Sequence, residues 1–233
     1  MATKALERIY LDSFLKSIGW NYSNIEEGES PDFIVKSESQ SFGVEVTQIF
    51  KDSSQRGSKL KEDESQRGKF LIKLAKEYYR RGGHPIALKG MIFDLPNQSM
   101  TQELLQKLIN ESHCHQPWER SQLCIESDNK KYAEFYITRL PDLIGHYDRW
   151  ICMNNTIGWV QNLDKVLLEK TIQEKSAKID KYHEAVDNVI LLIVVDRIKQ
   201  SGMMEWCAQE ICCGCGFMSV YLHIFPFETY KVA

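Results

Sequence analysis

The chain has 233 residues, 43% hydrophobic and 26% charged, with a net charge of −3. That balance excludes a collagen-like, low-complexity or wholly disordered chain. It also lacks the overall basic signature of a nucleic-acid binder, so any grip on nucleic acid must come from a local face.

Residues 3–18 carry Leu6, Ile9, Tyr10, Phe14 and Ile18 at helical spacing, with Gly19 just past the end, and predict a first helix. Trp20 to Ile25 follows as a leading strand, and Glu26-Glu27-Gly28-Glu29 as an acidic turn. Residues 32–50 predict a β-hairpin whose turn centres on Glu38 and Ser39. Antiparallel pairing about that turn sets Lys36 opposite Ser41, Ile34 opposite Gly43 and Asp32 opposite Glu45. Alternation then sends Asp32, Glu45 and Thr47 to one side of the sheet. Phe33, Val35, Phe42, Val44 and Val46 go to the other, apolar side. Lys51 to Glu64 is polar and predicts a loop or frayed helix start. Ser65 to Arg81 predicts a helix with the stripe Phe70, Leu71, Leu74 and Tyr78, closed by Gly82-Gly83. Pro85 to Asp94 has the pattern of a strand.

Further on, Met100 to Asn110 predicts a helix, Tyr132 to Leu140 a strand, and Asp142 to Val160 an aromatic-rich irregular stretch. One long helix is expected from about Asn162 to Ala185, then a fully apolar strand, Val189 to Asp196, of the type buried on both faces. Phe217 to Phe225 supplies a final strand. The apolar run Val189 to Val195 falls far short of the roughly 20 residues that cross a bilayer. No apolar signal core precedes the first helix, so a cytoplasmic protein without membrane contact is expected. No repeat or linker divides the sequence, which predicts a single domain over 1–233. Seven cysteines are present, and the cluster Cys207, Cys212, Cys213 and Cys215 matches no familiar zinc spacing, so free thiols are expected. Trp118, Trp150, Trp159 and Trp206 suit either a self-association surface or the core, and a homodimer is left open.

Two carboxylates facing each other across a hairpin, about 5 Å apart at Cβ, repel one another unless a cation lies between them. Oxygen donors of this kind suit a hard divalent ion. Pro31-Asp32 on one strand and Glu45-Val46-Thr47 on its neighbour resemble the PD-(D/E)XK nuclease superfamily, in which a Pro-Asp and an acidic-x-Lys hold the metal that drives phosphodiester hydrolysis. The resemblance covers roughly the first third of the chain, and Thr47 stands where the family has lysine. It implies a restriction-endonuclease-like α/β fold: a central mixed β-sheet flanked by helices. Helix, three strands, helix and strand would form the core over about 1–95, with a helix–strand extension over about 96–233.

The resemblance further implies Mg²⁺ or Mn²⁺ held by Asp32, Glu45 and the Val46 carbonyl, Glu7 on the first helix near the metal, and DNA as partner. Restriction or phage defence is the role it implies. Thr47 cannot supply the charge of the missing lysine, since its hydroxyl is short and neutral. Lys175 and Lys178, on one face of the late helix with Tyr182, are the favoured replacements; Lys69 and Lys73 are the second choice. Arg67, Lys69, Lys73 and Lys76 are expected to track a DNA backbone. Gln48 alternates away from Glu45 and would need a bulge to join it. Loss of catalysis, leaving a binding or assembly module, is the competing expectation, and a zinc-stabilised domain built on the late cysteines is a third.

Overall fold

The computed structural model describes residues 3–37, 40–51, 59–153, 160–207, 211 and 215–233. The fold is α/β, with a mixed β-sheet flanked by helices. Two compact units divide the chain: residues 1–61 with 158–233, and residues 62–157.

In chain order, α1 (Lys4–Ser17) precedes β1 (Asn24–Glu27), β2 (Phe33–Lys36) and β3 (Ser41–Gln48). Next come α2 (Lys59–Arg80), β4 (Ile86–Ile92), α3 (Gln98–Cys114), β5 (Arg120–Ser127), β6 (Lys130–Arg139) and β7 (Ile151–Met153). The chain then returns to the first unit with β8 (Gln161–Asn162), α4 (Lys165–Ser176), α5 (Ile179–His183) and β9 (Val189–Asp196). It ends with β10 (Met204–Glu205), β11 (Ser219–Phe225) and β12 (Glu228–Lys231).

The first unit is built on a six-stranded sheet in the order β1-β2-β3-β9-β11-β12. Its hairpin has the expected register: Lys36 pairs with Ser41 and Ile34 with Gly43. The turn at Glu38 and Ser39 lies outside the described residues. β9 runs parallel to both β3 and β11 at the centre of the sheet. Alternation along β9 serves two cores at once. Ile190, Leu192 and Val194 pack with Phe33, Val35, Phe42, Val44 and Val46 under Tyr10, Leu11, Phe14 and Leu15 of α1. Leu191, Ile193 and Val195 pack with Leu168, Ile172 and Tyr182 of α4 and α5. Every residue from Val189 to Val195 is fully buried, which is why the run reads as continuously apolar.

The buried stripe of α1 is Tyr10, Leu11, Phe14 and Leu15, and Ile9, expected in it, is exposed. Gly19 takes the left-handed conformation that ends the helix. There the Gly19 and Trp20 amides donate to the Lys16 and Leu15 carbonyls.

The long helix expected over 162–185 is broken. Lys178 leaves the helical region between α4 and α5, so Lys175, Lys178 and Tyr182 do not share one continuous face. The strand expected over 85–94 exists as β4, but it pairs with β6 and β7 in a separate four-stranded sheet of the second unit, ordered β5-β6-β4-β7. The strand beside the hairpin is β9. Within the second unit, Leu71, Leu74 and Tyr78 of α2 and Leu104 and Leu108 of α3 cover one face of that sheet. The hairpin β5–β6 went unforeseen, although its two-residue turn, Asp128-Asn129, has positive φ at both positions and is the kind that matches strand twist.

Trp150 and Trp206 are core residues; Trp118 is exposed, and Trp159 lies outside the described residues. Cys114, Cys124, Cys152, Cys207 and Cys215 are free thiols, and Cys212 and Cys213 lie outside the described residues. No helix among the described residues is long and apolar enough to cross a membrane.

His223 of β11 is fully buried between Ser13 Oγ (3.0 Å) and Thr229 Oγ1 (2.8 Å), tying α1 to the sheet. Burial lowers its pKa from the usual 6.5. A depressed folded-state pKa contributes stability that is complete above the unfolded value and lost as pH falls through the folded one. Urea midpoints should therefore drop from about pH 7 to pH 5 in the natural protein. The drop should be smaller in His223→Asn; equal slopes would show that His223 does not govern it.

Candidate active site

At the end of the β2–β3 hairpin a cleft of about 460 Å³ opens, lined by Lys4, Glu7, Glu29, Asp32, the segment Glu45–Gln48, Phe50, Lys61 and Lys175. Its geometry begins with Pro31. Extending the observed register past the Phe33–Val44 pair sets Pro31 opposite Val46 and Asp32 opposite Glu45. The amides of Gly43 and Ile49 donate to β9, at Asn188 and Val194. Alternation therefore turns the amide and carbonyl of Val46 to the opposite, β2 side. Proline has no N–H to offer that carbonyl. The Val46 amide is taken instead by the Asp32 carboxylate, whose Oδ2 accepts at 2.9 Å. The Pro-Asp pair thus ends the ladder, leaves a main-chain oxygen facing the cleft and anchors the first carboxylate beside it.

The second carboxylate, Glu45, is only 7% exposed on the central strand β3. Lys175 reaches it from α4, with Nζ donating to Oε1 at 2.7 Å. Its other oxygen, Oε2, is one of three buried side-chain polar atoms without a hydrogen-bond partner among the described residues. Leaving such an atom unsatisfied costs about 1–3 kcal/mol, and more for a charged group. The Tyr182 hydroxyl is another of the three. Burial raises its pKa, and after it the charge and the hydrogen-bonding pull of the nearby Glu45 carboxylate, so the two groups lie close to each other without reaching full hydrogen-bond geometry.

Asp32 is held in turn by Lys4, whose Nζ donates to Oδ1 at 2.8 Å and lies 3.6 Å from Glu7 Oε2. Burial works to lower the Lys4 pKa, but the hydrogen bond and charge of Asp32, with Glu7 and Glu29, outweigh it and raise the value. Glu7 is raised as well, first by burial and then by the charge of Asp32, with Lys4 opposing. The site therefore concentrates four carboxylates, of which Asp32 and Glu45 are paired with Lys4 and Lys175.

Of the residues singled out in the sequence, the cleft brings together Asp32, Glu45, Val46, Thr47, Glu7 and Lys175. Lys178 does not line it; it is exposed at the break before α5. Arg67, Lys69, Lys73 and Lys76 belong to the part of α2 in the second unit, where the three lysines are exposed. Gln48 lines the cleft without a bulge, because β3 keeps an unbroken register with β9 through that residue. Lys4 and Lys61 carry no motif of their own, and Lys4 has only its place one turn before Glu7; Tyr182 had its signal in the spacing from Lys175 and Lys178.

A metal is judged by its donors. Two carboxylates and a main-chain carbonyl form an oxygen set of the kind Mg²⁺ and Mn²⁺ take, and the orphaned Oε2 of Glu45 is a buried anion that such an ion would satisfy. These residues fit the group. Among the described residues no three His, Cys, Asp or Glu side chains form a ready-made metal cluster. His115 is engaged with Glu111 and Glu119 on the surface. Comparison with protein-family models, curated proteins and solved structures gives no match.

Proposed function

We propose that this chain is a metal-dependent nuclease that hydrolyses DNA phosphodiester bonds. The observation that carries the reading is the pairing of Asp32 and Glu45 at one cleft, with Lys175 brought to Glu45 from a helix 130 positions away. A Mg²⁺ or Mn²⁺ ion held by Asp32, Glu45 and the Val46 carbonyl would neutralise the phosphate and lower the pKa of a water. The residues do the rest. Lys175 stabilises negative charge as it grows on the attacked phosphate, the duty that Thr47 cannot perform. Glu7, whose raised pKa brings it nearer neutrality, holds and accepts a proton from the attacking water. The water oxygen bonds to phosphorus, the phosphorus–oxygen ester bond breaks, and the leaving oxygen takes up a proton from solvent. A cytoplasmic role in restriction or phage defence goes with this reading by analogy of fold alone.

The deciding assay is cleavage of single- and double-stranded DNA and RNA with and without Mn²⁺. Mn²⁺-dependent cutting that disappears in Asp32→Ala supports the reading; cutting that survives Asp32→Ala removes it.

A second reading has its own observation. Both carboxylates are already neutralised by lysines, Asp32 by Lys4 and Glu45 by Lys175, as in a scaffold that binds without cutting. Calorimetric titration separates the two. The nuclease should bind Mn²⁺ with an affinity that collapses in Glu45→Ala, and the scaffold should bind none.

A further inference from the structure

Two buried polar atoms that lack a hydrogen-bond partner among the described residues lie close to each other: Oε2 of Glu45 and the hydroxyl of Tyr182. One is an acceptor and the other a donor. Both belong to the same side of the sheet, because Glu45 stands opposite Leu191 of β9, and Leu191 packs towards α4 and α5. The break at Lys178 sets the two helices to this carboxylate separately. α4 delivers Lys175 to Oε1 at 2.7 Å, and α5 begins afresh at Ile179 and carries Tyr182 into the core. There Tyr182 is 2% exposed, in one cluster with Leu168, Ile172 and Leu191, and its ring lies 6.1 Å from that of Phe217. For packing alone phenylalanine would suit this place better, since burying an unpaired hydroxyl is destabilising. The hydroxyl therefore points to a use beyond the core.

A carboxylate offers about four lone pairs. Lys175 takes one on Oε1, and those of Oε2 are left for a cation and a phenolic donor together. We infer that Tyr182 is a positioning residue for Glu45: its hydroxyl donates to Oε2 and holds the carboxylate in place for a divalent cation on the cleft side. Carboxylates that ligate metals are themselves hydrogen-bonded by outer partners, which fix their orientation. Lys175 and Tyr182, from either side of the helix break, secure one oxygen each. The division matters because Lys175 also serves the attacked phosphate, and Tyr182 keeps Glu45 oriented while it does so. The inference rests on the nuclease reading for its metal and adds the group that orients the acidic ligand.

The test is calorimetric titration of the full chain with Mn²⁺ alone, paired with urea unfolding of the metal-free protein. Tyr182→Phe removes only the hydroxyl. It should bind Mn²⁺ about tenfold more weakly, the lower end of the loss typical for outer partners of metal ligands. Its metal-free urea midpoint should stay at or above the parent's, and Mn²⁺ should raise that midpoint by less than in the parent. Ile172→Val trims the same core without touching the phenol and should keep the parent's affinity. Circular dichroism checks each fold, and Tyr182→Met repeats the titration if Tyr182→Phe does not fold. Parental affinity in a folded Tyr182→Phe or Tyr182→Met overturns the positioning role and leaves the nuclease reading intact. An equal loss of affinity in Ile172→Val also overturns it, by assigning the effect to packing. A parent that binds no Mn²⁺ overturns both.

Discussion

Replacing Glu45 and Lys175 together, as Glu45→Leu with Lys175→Met, should abolish cleavage and leave the protein as stable as before, or more so. Glu45 is buried on the central strand opposite Leu191 of β9, with one oxygen unpartnered, and Leu191 packs with Leu168 and Ile172 of α4. Taking two charges out of water is costly, and exchange of a buried pair for apolar side chains of similar volume is often neutral or stabilising by about 1–4 kcal/mol. Satisfying the orphaned oxygen by removing it adds in the same direction. The expected result is a urea midpoint equal to or above the parent's. Against this stands the loss of the carboxylate proposed to hold the metal, which should lower the cleavage rate of the proposed nuclease by at least about a thousandfold, some 4 kcal/mol of transition-state stabilisation. Natural proteins keep such unfavourable groups where function needs them. A double variant that unfolds several kcal/mol more easily would show that Glu45 serves the fold, and one that still cuts would remove it from the chemistry.

A fragment ending near residue 95 should not fold, even though it contains α1, the whole hairpin, α2 and β4. Without β9 the backbone of β3 loses its partner on one side. The core under α1 also loses Ile190, Leu192 and Val194. Each aliphatic side chain of this kind contributes about 1.5–3 kcal/mol when buried. Losing three removes about 4.5–9 kcal/mol, of the same order as the roughly 5–15 kcal/mol that separates a folded domain from its unfolded chain. β4 offers no substitute, because it belongs to the other sheet. Far-UV circular dichroism and proton NMR of the fragment should show an unfolded chain; dispersed amide signals would contradict this account.

That contrast marks what could be read from the residues. The hairpin was legible because a period-two pattern fixes register, and Pro31, Asp32 and Glu45 fall into place once the register is set. Lys175 was legible only through resemblance, since a helix with Lys175, Lys178 and Tyr182 before a Leu-Leu-Ile strand is similar to that of nuclease-like proteins with Glu-x-Thr. The neighbour of β3 was not. Pairing between β3 and β9 is made by backbone groups that every residue carries, and chain order favoured the nearer strand over residues 85–94. The break at Lys178 was equally hidden, since Ser176 to Asp180 contains neither glycine nor proline. Gln48 shows the opposite case. Alternation correctly sent it away from Glu45, towards Tyr10, but a residue at the end of a strand can also face the cleft at its tip.

The first unit is sewn from both ends of the chain: Gly43 pairs with Val189, 146 positions later. At a synthesis rate of about 5–20 residues per second, β3 waits roughly 7–30 s for its partner to emerge. During that interval one side of the hairpin is an open strand edge with Phe42, Val44 and Val46 above it, a template for pairing with the wrong chain. The inserted segment 62–157 carries its own sheet and core, so it can complete itself while still attached to the ribosome. Crowded translation should therefore penalise the first unit and spare the second, and a chaperone that shields nascent edges would act on residues 33–48.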